Sequence, residues 1–309
     1  MIKLLRADFS RLFKSKVFYL FTAGIFVISA YCAFSNYGAL SPSPAKGQES
    51  ITVCPLEMMP AVAFLIAVST AFFIGTNFSS NTIRNKLFCG CSKTQIYLSN
   101  SIVSLFVSLV FSAAFSLSGI GVIKAGVFPA DIYFAVVSLG VVSAVAFSCI
   151  STFFSFVVRG RTVPTVVLIA LFAGMFALTS TIGSVLGEPE YNLTVDKVNG
   201  VPYDQVSVIP SDAEITYKKG PNLQYCGGTK RKILETVSNI LPTSHMSILS
   251  NISVSSDKNG VWFTPHYSSD VELKKASDVY KYINAFYSLG FSVFITAAGV
   301  LIFKKEQLS

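Results

Sequence analysis

The chain has 309 residues, 52% of them hydrophobic and only 13% charged, and a net charge of +8. Soluble domains carry about 25% charged residues, so half that share excludes an ordinary soluble fold. The ruler that fits this composition is the bilayer, where a spanning helix needs about 20 mostly apolar residues.

Residues 1–16 form a basic amphipathic stretch. Leu5, Phe9, Leu12 and Phe13 fall on one helical face and Lys3, Arg6, Ser10 and Lys14 on the other, the pattern of a helix lying in the headgroup layer. Six apolar runs follow, at roughly 17–37, 57–79, 96–123, 132–158, 162–186 and 281–303. The first run lacks a small-residue cleavage site followed by a polar start, so it is expected to remain as an anchor. The predicted fold is therefore a membrane all-α protein: an N-terminal interfacial helix at 1–16, five spans within 17–186, and a sixth with its tail at 280–309.

Between the second and third runs lies "NTIRNKLFCGCSKTQIYLS", residues 81–99, with Arg84, Lys86 and Lys93 and no acidic residue. Asn81 to Phe88 reads as one short amphipathic helix with Ile83 and Leu87 facing inward at i and i+4. "GCS" turns the chain, and Ser92 with Gln95 makes an S-x-x-Q capping box that starts the third span. The 80–95 loop is thus a short helix bent across the ends of two spans, a surface that another protein can grip. Arg84 and Lys86 flank it and are expected to pair with carboxylates on that partner.

The remaining polar mass is one block, 187–279, which holds 11 of the 16 acidic residues and 9 of the 24 Lys and Arg. "YNLTVDKV" and "DQVSVIP" alternate as half-buried strands do. "TKRKILETVSNILP" places Ile233, Val237, Ile240 and Leu241 on one helical face, with Pro242 as its stop. A small α+β domain is expected between the fifth and sixth spans.

Short cytoplasmic loops collect Lys and Arg. With the N-terminus inside, segments 1–16, 80–95, 159–161 and 304–309 hold twelve such residues, and the two short outer loops hold only Lys46 and Lys124. Both termini are then cytoplasmic and 187–279 is extracellular. No Asp, Glu, Lys, Arg or His lies in the middle of any run, and His245 and His266 fall in the outer block. Ion- and proton-coupled carriers use such groups inside the membrane, so their absence argues against a secondary transporter or proton pump. It also argues against most intramembrane proteases and metalloenzymes. "GCSKT" (90–94) lacks the rest of a P-loop, so no nucleotide site is read in this chain.

Of six cysteines, Cys32 and Cys149 lie in spans and read as packing residues, while the Cys89-x-Cys91 pair is a weak metal signal. Cys54 and Cys226 both fall outside and can form a disulfide; with no spacing pattern to decide it, the pairing stays open.

The stretch 75–100, "GTNFSSNTIRNKLFCGCSKTQIYLSN", resembles the loop after the second span of the type-2 ABC transporter permeases. The matching positions are Thr82, Ile83, Arg84, Asn85, Lys86, Leu87, Gly90, Ser92, Ile96, Tyr97, Leu98 and Ser99. Asn81 stands where Gly is common, Lys93 where Arg is common, and Asn77-Phe78 where the family often has an acidic residue. The resemblance implies a permease subunit of an ATP-driven exporter in a bacterial cell membrane. It makes 1–16 the elbow helix and implies coupling to the ATPase through Ile83, Arg84, Asn85, Lys86, Leu87, Ser92 and Lys93. The expected partners are cytoplasmic ABC ATPase subunits, which hold the ATP and Mg, a second permease copy or a related permease, and membrane lipid. No nucleic acid, catalytic residue or cofactor of its own is expected. The uncharged spans suit a hydrophobic or amphipathic cargo such as a peptide antibiotic, drug or lipid. The alternative is a multi-pass sensor or scaffold whose extracellular domain binds a ligand or partner.

Overall fold

A computed structural model describes residues 1–39, 51–53, 59–117, 130–160, 162–188, 190–198, 201–202, 215–250, 252–257, 260–265 and 286–305. Its long helices are α2 (Lys16–Ala39), α3 (Met59–Ser79), α5 (Lys93–Ser116), α6 (Ala130–Val158), α7 (Val163–Gly187) and α10 (Phe286–Lys305). Shorter ones are α1 (Ile2–Lys14), α4 (Thr82–Phe88), α8 (Gly228–Ile240) and α9 (Pro242–Ser250). Five helices, α3, α5, α6, α7 and α10, are long and apolar enough to cross a membrane, and α1 and α2 form a further pair bent by 63°. This is a helical, multi-pass membrane architecture.

The starts of these helices follow local chemistry. Ser92 accepts from the Gln95 backbone N–H at 3.2 Å and Gln95 Oε1 accepts from the Ser92 N–H at 3.2 Å, closing the capping box at the head of α5. Pro164 occupies the first turn of α7, where its missing N–H costs nothing.

Helix α6 is the centre of the bundle, packed against α3, α5 and α10, while α7 lies on α3 and α2 on α5. Two-thirds of the apolar stretch of α6 is buried (67%), against 22% for α7 and for α10, so the last two are peripheral. Serines make this packing close. Ser101, Ser104, Ser108 and Ser112 of α5 and Ser143, Ser148, Ser151 and Ser155 of α6 are all buried. Small residues let helices approach, and several hydroxyls return to their own helix: Ser108 donates to Leu105 O at 2.8 Å, Ser151 to Phe147 O and Ser155 to Ser151 O, both at 2.7 Å. At Gly299 the approach is closest: a Cβ there would overlap the Tyr97 phenol.

The polar block carries two three-stranded antiparallel sheets. Strands β2 (Tyr191–Val198), β3 (Val201–Pro202) and β4 (Ile215–Pro221) order as β3-β2-β4, with a bulge between Val195 and Lys197. Strands β1 (Ile51–Val53), β5 (Ile252–Asp257) and β6 (Gly260–Pro265) order as β1-β5-β6. Because Thr52 pairs with Ser255, strand β1, which follows α2 in the chain, is an edge of the sheet that β5 and β6 of the 187–279 block complete.

Pro242 ends α8 but also opens α9, whose first turn can hold a proline. Ile233, on the predicted apolar face of α8, is 57% exposed. Helix α9 packs against α3, α6 and α7, and Thr243, Ser244, His245 and Met246 are buried. Cys54, His266 and the 204–210 segment lie outside the described residues, and Cys226 is a free thiol.

Candidate functional site

Helix α4 has only seven residues, and its form depends on what brackets it. Asn81 enters it in the left-handed region, at φ 53°, and Gly90 leaves at φ +82°. Asn and Gly are the residues that tolerate such φ, which suits Asn81 and Gly90 to these two positions. The inward face is set by Ile83, 2% exposed, and Leu87, packed with Leu4, Ile74, Ile96, Phe156 and Phe303. The predicted inward pair is therefore found where the i, i+4 spacing put it.

Lys86 departs from expectation. It is buried rather than partner-facing, and its Nζ donates to Asp8 Oδ1 at 2.5 Å. Asp8 is 0% exposed, and its Oδ2 accepts from the Ser99 hydroxyl at 2.7 Å. One carboxylate thus joins α1, α4 and α5. Charge-assisted bonds are stronger than neutral ones, and burial makes the pair depend on both members. Nearby, Asn77 Nδ2 donates to Asn100 Oδ1 at 2.9 Å and Asn100 Nδ2 to Ile96 O at 2.8 Å, tying α3 to α5. Lys93 Nζ donates to Lys304 O at 3.3 Å, which brings the end of α10 to the same place.

Helix α1 is engaged by its apolar side. Leu12 is 2% exposed, Leu5 and Phe9 pack on the core, and the Phe9 ring meets Phe106 of α5 edge-on at 5.1 Å. Phe13 stays 46% exposed, against Phe106 and Phe18. The face predicted to rest on lipid lies largely on α5, rotated so that Leu4, Asp8 and Leu12 are innermost.

What α4 offers outward is Arg84, Asn85 and Phe88, all exposed, with Phe88 at 88%. A lone phenylalanine so bare at the end of a clamped helix is the residue that the sequence reading missed. Its signal was its position, one step beyond Leu87 and off the inward face. Ser92 is taken up by its capping bonds. Cys89 and Cys91 are free thiols, and among the described residues no group of His, Cys, Asp and Glu could hold a metal.

A second polar cluster lies at the opposite end of α10. His245 Nδ1 and Ser288 Oγ are 2.9 Å apart, Thr243 and Thr179 share a bond at 2.7 Å, and Ser238 and Ser244 one at 2.5 Å. His245 Nε2 is buried without a partner. Burial pushes the ring down to about 4, opposed by the Asn239 backbone, so His245 is neutral at pH 7. The sequence reading set this histidine in the outer 187–279 block, and the structure packs it against the long helices.

Among known proteins, no family model matches this chain, and no curated protein sequence matches it.

Proposed function

We propose that this chain is the membrane-spanning subunit of an ATP-driven exporter of the type-2 ABC permease kind. In this reading α2, α3, α5, α6, α7 and α10 are six spans, α1 lies at the cytoplasmic surface, and the 187–279 block with β1 is extracellular. Twelve Lys and Arg on the inner segments against two in the short outer loops support that orientation. A separate pair of ATPase chains docks below, and a second permease completes the pathway for a hydrophobic or amphipathic cargo.

The observation that carries the reading is the division of α4 into two sides. Ile83, Leu87 and Lys86 fix it to α1, α3 and α5, while Arg84, Asn85 and Phe88 face out. A helix anchored this way moves only with the helices behind it, so a push from a partner reaches the long helices without loss in a flexible loop. Phe88 is the natural anchor, since buried aromatic and Arg residues dominate interface energies.

The test is co-purification with the ATPase encoded beside the gene. Arg84→Glu with Phe88→Ala replaces the anchor and reverses a charge while leaving the inward face intact. Normal expression with lost ATPase association is the expected result. A double mutant that still binds its ATPase and still exports sinks the reading, as does the lack of any neighbouring frame with a Walker motif.

A further inference from the structure

At the bend between α1 and α2 lies a partly open pocket of about 60 Å³, several times the roughly 10–15 Å³ that one water requires. Leu12, Val17, Phe18, Phe73 and Val107 give it an apolar wall, with Thr70 of α3 and Ser104 of α5 among its polar residues. Those two hydroxyls are unlike their neighbours. Ser69 donates to Ile66 O at 3.0 Å and Thr76 to Phe73 O at 2.7 Å, the usual return to the helix's own carbonyls. Among the described residues Thr70 Oγ1 and Ser104 Oγ have no partner, although the residues are only 2% and 1% exposed. A buried hydroxyl left unpaired is costly. Two that line one pocket mark a place for a ligand atom that accepts hydrogen bonds.

We infer that this pocket binds a bilayer phospholipid by its glycerol ester region. A carbonyl oxygen has two lone pairs and can accept from both hydroxyls, while an acyl chain follows Phe18, Phe73 and Val107. The level is right for this ligand. Lys14 and Lys16 are exposed on either side of Ser15, and lysines flanking the start of a span sit among headgroups, so the residues that follow lie at the headgroup–acyl boundary where ester carbonyls are found. The same two lysines meet a phosphate. The assignment rests on the bend lying at the bilayer surface and needs no ATPase.

The test is photocrosslinking in vesicles made of phosphatidylglycerol and phosphatidylethanolamine with a trace of phospholipid carrying a diazirine on its acyl chain. The whole chain is reconstituted alone. Label is expected on peptides containing Leu12–Phe18 and Thr70–Phe73. In Thr70→Val/Ser104→Ala it should fall about tenfold, the loss that ~1.4 kcal/mol gives. Ser143→Ala, which removes a hydroxyl already bonded to Leu139 O, should keep full label. Three results overturn the inference: equal label in the double variant and wild type, no label at those peptides in either, or label displaced by an acceptor-bearing amphiphile such as a long-chain ketone but not by excess phospholipid. The last would make the site one for cargo. Because no partner is present, failure here leaves the ATPase reading untouched, and the co-purification test can fail with this one intact.

Discussion

Lys86→Met isolates the buried charge pair. The substitution keeps the length and apolar stem of the side chain and removes only the ammonium, leaving the Asp8 carboxylate 0% exposed with the Ser99 hydroxyl as its one remaining side-chain partner. Removing one member of a buried pair costs about 3–5 kcal/mol, because the other charge stays buried. At roughly 2–4 °C per kcal/mol for a large domain, that is an apparent melting temperature lower by about 10 °C in detergent micelles, read by fluorescence-detected size exclusion after heating. Asp8→Asn with Lys86→Met replaces both charges and should recover most of the loss, since well-packed neutral groups often match a buried ion pair. The two single changes and the double form a cycle whose coupling should exceed about 2 kcal/mol. A Lys86→Met protein that melts within about 2 °C of wild type, or a double variant no better than the worse single, refutes the account: the pair would then be wet and weak, worth about 0–1 kcal/mol.

Three other changes test separate parts of the structure. Gly299→Ala should cost about 1–3 kcal/mol by overpacking, since the methyl overlaps the Tyr97 phenol; adding Tyr97→Phe should restore part of it, and no restoration means that the strain lies elsewhere. His245 is packed neutral, its ring pushed down to about 4 from 6.5, so its contribution is full above about pH 6.5 and is lost as pH falls and the unfolded ring takes up its proton first. Between pH 7 and 5 that is about 2 kcal/mol, visible as a drop in melting temperature that His245→Gln should remove; equal pH slopes in both proteins would count against the buried neutral ring. Cys89 is exposed, so a maleimide that cannot cross membranes should label it in inverted vesicles and not in intact cells, and the opposite pattern would reverse the proposed orientation.

Much of this molecule was legible because its helices are long and simple. A run of about 20 apolar residues has few other solutions, and the six predicted runs match α2, α3, α5, α6, α7 and α10 to within a few residues wherever their ends are described; the stretch of the third run after 117 lies outside the described residues. Helix α4 was readable from Ile83 and Leu87, and its neighbour's cap from Ser92 and Gln95 alone. Asp8 was not. In α1 it shares a stripe with Leu4, Leu5 and Leu12, and a carboxylate inside an apolar stripe asks for a cation that only the fold supplies; Lys86 lies 78 residues away. Helix α9 escaped for a different reason. Nine residues with Thr, Ser and His give no periodic signal, and their burial comes from hydroxyl pairs across helices, as between Thr243 and Thr179.

The brevity of α4 has a consequence for how the protein is made. Seven residues are too few to hold a helix in water, where about 12–15 are needed even for favourable sequences. Its turns are held by the helices that meet around Ile83, Leu87 and Lys86, which are α1, α3, α5, α6 and α10. Before those helices meet, 82–88 has no stable helix of its own, and Phe88 gains its fixed outward stance only with them. In the proposed permease, an ATPase docking there would read, in the same contact, whether these helices have come together, so that assembly of the complex would be its own inspection step.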